Sequence, residues 1–325
     1  MHALPSPGPA DLVTQWAVQP LAILAAVVIA AWYVRSVRRL VTGGVTGGGW
    51  PMRRSVLFGA GLALLIWTTC GFPQAYASSL YWVWTTQTLA LFLIVPFVLL
   101  AGQPLQLARR HSGRDGPVDR FLRSRLGRFL GNPLVGPALV PLLSGVLFFG
   151  PLPRWAVAAP VFGSVLPLLL VTVGGLILLP LIGLEDEPSS LAVGLTLAIG
   201  SFELVLDAIP GIALRMHTSL ATSYFDHRSV RSWSPGPLHD QRIAGSILWC
   251  VSEVIDLPFL LIVFRRWLRA DARDAAVIDA VLDAERIARS GLDPAGDGTG
   301  EAANQADVPW WLTDPAMQNR LRRER

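Results

Sequence analysis

Residues 239–269 read HDQRIAGSILWCVSEVIDLPFLLIVFRRWLR: a polar opening, an apolar middle and a basic close. Between Ile243 and Phe264 the residues are apolar except for Ser246, Ser252, Glu253 and Asp256. That gives roughly 20 residues, enough for a helix to cross a hydrocarbon core of about 30 Å. Glu253 and Asp256 stand three apart and share one helical face. A carboxylate at the bilayer centre costs about 2.5–3.5 kcal/mol on insertion scales, so this face turns toward protein or water. Arg265, Arg266 and Arg269 mark a cytoplasmic end, which leaves His239, Asp240 and Gln241 at the opposite, outer mouth.

The whole chain agrees with that segment. It has 325 residues, a mean hydropathy of +0.47 and 15% charged residues, against about 25% in soluble domains. The predicted fold class is all-α, a polytopic membrane helix bundle with a soluble tail. The positive residues are all Arg, clustered beside hydrophobic runs, so topology accounts for the net charge of +4 and no nucleic-acid partner is implied. Cys70 and Cys250 lie in or at the end of apolar runs without CxxC spacing, which predicts buried free thiols. The opening MHALPSPGPADLVTQW lacks the basic region and small-residue cleavage site of a signal peptide, so the first span is expected to be retained.

Seven spans are predicted, at about 16–34, 55–70, 80–100, 133–149, 160–182, 191–209 and 243–264, with the membrane domain covering 1–268. Pro96 predicts a kink in the third, and PLPRWAV reads as the connection after the fourth. The connection after the first span holds Arg35, Arg38, Arg39, Arg53 and Arg54. The one after the third, between Gln103 and Asn132, is the most basic. The connection after the second, GFPQAYASS, holds no charge, and that after the fourth holds Arg154 alone. The positive-inside rule then puts the N-terminus outside and the C-terminus in the cytoplasm of a cell membrane. About thirty amphipathic and polar residues, 211–240, separate the last two spans.

The tail, 269–325, begins with Val277, Ile278, Val281, Leu282 and Ile287 at helical spacing, which predicts an amphipathic helix. A Gly, Asp and Ala linker follows, then PWWLTDPAMQNRLRRER, whose Trp pair and Arg cluster suit either a membrane or partner interface or a free basic tail.

Several polar groups are candidates for function, each with a plainer reading beside it. Glu203 and Asp207 are four apart and share a face; with Glu253 and Asp256 they either line a proton or cation path or pair with Arg215 or Arg242 and orient the last two spans. Asp240 and Gln241 suit the cap of the seventh span or a docking point, and the two roles are compatible. Met216, His217, His227 and His239 gather in or near the outer segment before the seventh span. Thioether and imidazole suit Cu(I), although spacings of ten and twelve residues match no compact motif and fit surface histidines equally well. Tyr81, Trp82 and Trp84 read as an interfacial aromatic belt. No nucleophile elbow, HExxH, phosphate loop or nucleotide fingerprint is present in the sequence, so no enzyme activity is expected.

From about Trp16 onward the chain resembles the cytochrome c oxidase assembly factor family CtaG, in its actinobacterial branch. The closing DQxxAGxxxW pattern stands here as Asp240, Gln241, Ala244, Gly245 and Trp249. Also similar are QPLAILAAVVIAAWYVRSVRRL with GGGWPMRR, then LIVPFVLLAGQPL, GGLILLPLIG and PWWLTDP, in that order. The resemblance implies a non-enzymatic, seven-span factor that docks to respiratory oxidase subunits in the lipid bilayer and assists copper insertion. It also implies a histidine pair in the third span, spaced HxxQH, of which only Gln87 is present, with Trp84 and Thr88 at the histidine positions. A second pair would fall near Ser164 and Leu168 and is likewise missing. Two other readings stay open: an ion- or proton-coupled transporter using the carboxylates of spans six and seven, and a diverged paralogue serving another membrane complex. Against transport, the spans show no inverted repeat of interrupted helices.

Overall fold

A computed structural model describes residues 6–42, 49–112, 116, 120–121, 123–130, 135–182, 190–222, 224–225, 233 and 235–291. Among these residues there is no strand, and the chain is an all-α membrane helix bundle. It divides into two compact units, Met1–Asp271 and Ala272–Arg325.

Five helices of the described residues are long and apolar enough to cross a membrane: Pro20–Thr42, Met52–Tyr76, Tyr81–Ala101, Pro160–Leu178 and Val193–Met216. A pair bent by 60°, Leu139–Phe149 with Leu152–Ala158, makes a sixth if it is one broken span. The count of seven is therefore approximate. The expected seventh segment, 243–264, is helical throughout, inside Pro237–Gly291, but is not among those counted.

The boundaries moved for local reasons. The first span starts at Pro20, where a missing N–H costs nothing in a first turn, and continues through the Arg cluster to Thr42, because Arg is a good helix former. Trp16, predicted inside it, precedes the helix. After Cys70 the second span breaks at Gly71 and resumes as Phe72–Tyr76 with Pro73 in its first turn. In the third, a π-helical turn, Ala90–Ile94, precedes Pro96 and takes up the hydrogen bonding that the proline disturbs. The segment PLPRWAV, read as a connection, is helical over Leu152–Ala158. The sixth span does not stop at Ile209: the helix Ser190–Met216 runs through Pro210 and takes in residues assigned to the polar connection.

Small residues let these helices approach. A Cβ on Gly61 would lie 2.8 Å from Leu99, and one on Gly174 would overlap the Phe92 carbonyl oxygen, so the second and fifth spans both press on the third at glycine. The last two long helices of the unit cross at Gly211 and Gly245. A Cβ on Gly211 would sit 2.6 Å from the Trp249 backbone nitrogen, and one on Gly245 2.8 Å from the Gly211 carbonyl. Outward faces remain apolar and exposed, as at Val27, Leu169, Phe202 and Leu261, which suits a lipid solvent.

A small buried cluster of Val193, Val263 and Ala270 joins the last two long helices of the unit, and two others lie elsewhere in the bundle. One is large and centres on Tyr76, Leu80, Tyr81, Phe148, Phe225 and Leu248. The other holds Tyr33, Phe58 and Leu107. There the Tyr33 ring stacks on Phe58 at 3.9 Å and its hydroxyl donates to the Gly102 carbonyl. Trp50 Nε1 donates to that hydroxyl, and the Arg54 and Arg110 guanidiniums lie 5.0 and 5.6 Å from the Trp50 ring centre. Both cysteines are free, but only Cys70 is buried. Cys250 is exposed, because it falls on the outward face of its helix.

The second unit is described only over 272–291, which is helical. Val277, Ile278, Val281 and Leu282 are exposed there, and Arg286 lies 3.5 Å from Asp283. Residues 292–325, including the Trp pair and the Arg cluster, lie outside the described residues.

Candidate functional site

The Asp240 and Gln241 pair is almost wholly buried, at 1% and 0% exposed. Its helix begins at Pro237, and the Asp240 backbone N–H is already satisfied by the Gly236 carbonyl. The Asp240 side chain reaches beyond its own helix. Its two carboxylate oxygens accept the backbone N–H groups of Tyr81 at 2.9 Å and Trp82 at 3.0 Å. The cap expected for its own helix serves the third span instead, 159 residues away in sequence. Charge, unpaired N–H groups and the helix dipole all favour this contact.

Gln241 performs the matching task on the other side. Its Oε1 accepts the Ala221 N–H at 2.7 Å, while its Nε2 donates to the carbonyls of Ser219 at 3.0 Å and Leu214 at 3.3 Å. Leu214 lies near the end of a helix, where carbonyls lack intrahelical partners. Two adjacent side chains thus tie the last helix to the start of the third span and to the segment that leaves the sixth.

Tyr81 is the third member. Its hydroxyl donates to the Phe148 carbonyl in the π-helical turn Gly145–Phe149, and its ring stacks on Phe225 at 4.4 Å. Beside it, the Tyr224 hydroxyl donates to the Ser78 carbonyl at 3.1 Å. Tyr81 and Trp84 are buried, at 1% and 7% exposed, and Trp82 is half-buried, so this group is interior rather than an interfacial belt. A signal lay nearby in the sequence: the charge-free connection 71–79 is itself largely buried.

Next to this staple lies a cavity of about 340 Å³ between Tyr81–Leu89 and the N-terminal half of Pro160–Ile182. Trp84, Gln87, Thr88 and Ser164 all line it. Three of the four positions where the resemblance calls for histidine therefore meet in one chamber; Leu168 does not line it. Indole, hydroxyls and carboxamides stand there, and none is the imidazole or thiolate that copper prefers. Gln87 is held firmly, its Nε2 donating to the Thr68 carbonyl and to Gln74 Oε1, both at 2.8 Å.

The remaining candidates are scattered. Asp207 is buried, and the Glu203 and Asp256 side chains lie outside the described residues. Glu253 accepts from Trp249 Nε1 at 3.2 Å, one turn away on its own helix, and Arg215 donates to the Ser246 hydroxyl. Ala244 is fully buried at the crossing with the sixth span, so the Ala-Gly of the closing pattern is a packing element. His217 Nδ1 sits 3.0 Å from the Ser219 carbonyl and 3.1 Å from its hydroxyl. Met216, His217 and His239 are exposed, and His227 lies outside the described residues. Among the described residues no three His, Cys, Asp or Glu side chains gather as a metal site.

The helices and the buried staple that binds them define a polytopic, all-α membrane protein. Its family follows from the match of the cytochrome c oxidase caa3 assembly factor pattern to residues 31–270, and the chain belongs to that family. Among curated proteins it is similar to the uncharacterized protein Mb0105 of Mycobacterium bovis, 27% identical over 299 residues, covering 87% of this chain and 44% of that one. The uncharacterized protein MT0111 of Mycobacterium tuberculosis matches to the same extent, and ML1998 of Mycobacterium leprae is 27% identical over 294 residues, covering 85% and 43%. The chain spans less than half the length of these relatives. No solved structure matches it.

Proposed function

We propose that the protein is a non-catalytic assembly factor for a respiratory haem–copper oxidase, acting by docking to oxidase subunits within the bilayer. The observation that carries this is the family match over 31–270, which runs from within the first span to within the helix that carries Asp240 and Gln241. The geometry is consistent with a scaffold: the residues of the closing pattern are used in capping, crossing and packing, and the exposed helix faces are apolar and available to a membrane partner. Arg clusters after the first and third spans favour an outside N-terminus and a cytoplasmic C-terminus.

Deleting the gene and recording reduced-minus-oxidised spectra and oxygen uptake of the membranes tests the role. Loss of the a-type haem signal and of oxidase activity, restored by the wild-type gene, is the expected result. An intact oxidase in the deletion strain would overturn it. Copper handling, the finer part of the family reading, would rest on Met216, His217, His227 and His239. Stoichiometric Cu(I) binding by the purified protein, lost when the three histidines become Ala, adds delivery to the role; no binding leaves docking alone.

A further inference from the structure

Between Leu12 and Ser112 the chain carries seven Arg and neither Asp nor Glu. The three segments that bear them are the last turns of Pro20–Thr42, the start of Met52–Cys70 and the short helix Pro104–Ser112. Folding brings these segments together, because Tyr33, Phe58 and Leu107 share one buried cluster and Trp50 packs against it. Guanidinium groups are gathered there with no carboxylate from the same segments to balance them.

Two of the guanidiniums meet on one ring. Arg54 lies 5.0 Å and Arg110 5.6 Å from the Trp50 ring centre. The ring is held in place, since its Nε1 donates to the Tyr33 hydroxyl and that hydroxyl donates to the Gly102 carbonyl. Arg54 also donates to Gln106 Oε1, which is a neutral acceptor. Among the described residues no carboxylate pairs with Arg54 or Arg110. An indole face attracts a cation without cancelling its charge, so two like charges converge here and an anion that reached both would relieve their repulsion. Both are within reach, Arg110 being exposed and Arg54 half-buried. The planar fork of a guanidinium matches the paired oxygens of a phosphate.

Depth narrows the kind of anion. The span Met52–Tyr76 opens just after Trp50, and the span Tyr81–Ala101 closes just before Pro104, so the ring and its two cations lie at the level of lipid headgroups. Val34, Val56 and Phe97 are exposed on the three adjoining spans and offer apolar surface to acyl chains.

We propose that Arg54 and Arg110, set against Trp50, bind the phosphate of an anionic phospholipid from the surrounding leaflet. This site does not depend on the oxidase role.

The test is titration of the detergent-solubilised full chain with phosphatidylglycerol or phosphatidylcholine, with retained lipid counted by native mass spectrometry. One phosphatidylglycerol binds at least about tenfold more tightly than phosphatidylcholine, whose own cation restores the repulsion. Arg110→Gln, at an exposed position, weakens that binding about tenfold, the effect of losing a charge-assisted hydrogen bond. Arg54→Gln does the same, with the unfolding midpoint in the absence of lipid as the control for folding. Arg265→Gln removes an equal charge outside this cluster and leaves binding within about twofold. Equal retention of the two lipids overturns the proposal, as does unchanged binding in Arg110→Gln and Arg54→Gln. A loss in Arg265→Gln as large as in Arg110→Gln also overturns it, because diffuse charge rather than a site then holds the lipid. Inorganic phosphate that competes as strongly as phosphatidylglycerol overturns it in favour of a free anion.

Discussion

Asp240 shows how much one side chain decides in this bundle. Its carboxylate accepts two backbone N–H groups at the start of the third span, in a setting where water is excluded. Asp240→Ala leaves both donors buried and unpaired, and helix-cap deletions cost about 0.5–2 kcal/mol, more when the acceptor is charged. We expect a loss of about 2 kcal/mol, seen as a lower unfolding midpoint in detergent. Asp240→Asn keeps one good acceptor and loses less. Gln241→Leu removes three hydrogen bonds from a fully buried site and orphans the Ala221 N–H, so its midpoint falls at least as far as that of Asp240→Ala. Equal stability of Gln241→Leu and wild type would mean that the segment around Ala221 is held by other contacts.

Between elements the governing contact is glycine against backbone. Gly174 and Gly175 are neighbours in one helix, yet a Cβ on the first would overlap the Phe92 carbonyl while one on the second would lie 3.8 Å from Pro96. Gly174→Ala forces the third and fifth spans apart and costs about 1–3 kcal/mol or more by overpacking. Gly175→Ala is tolerated, with a small gain in helix propensity. Unfolding midpoints of the two variants check the pair, and similar values would sink the argument that position 174 sets the helix separation. The third span carries a π-helical turn at this contact, Ala90–Ile94, which contains Phe92 and precedes Pro96. Hydropathy finds such a span but reports neither the turn nor the glycine opposite it.

For the whole molecule, orientation and partnership are the open measurements. With the Arg-rich connections inside, a C-terminal green fluorescent reporter is fluorescent and an alkaline phosphatase fusion at the same point is inactive; the reverse pattern inverts the topology. The tail adds an exposed apolar stripe, Val277, Ile278, Val281 and Leu282, on a helical stretch beyond the bundle.

The sequence by itself determined the class, an all-α membrane helix bundle. Crossing a membrane is a local property, set by the sum of side-chain hydropathies over about 20 residues, and Arg clusters mark the ends. It also marked Asp240 and Gln241 as special and suggested capping for them. Only the tertiary structure decided which helix Asp240 caps, since a carboxylate seeks any unpaired N–H within reach and the nearest belonged to a segment 159 residues away. The same holds for Tyr81 and Trp84, which read as interfacial aromatics and are interior because other segments of the large buried cluster close over them. It holds equally for the cavity, whose walls join Gln19, Trp84 and Ser164. Those residues share no periodicity and no motif; what they share is a place, and place is fixed by packing.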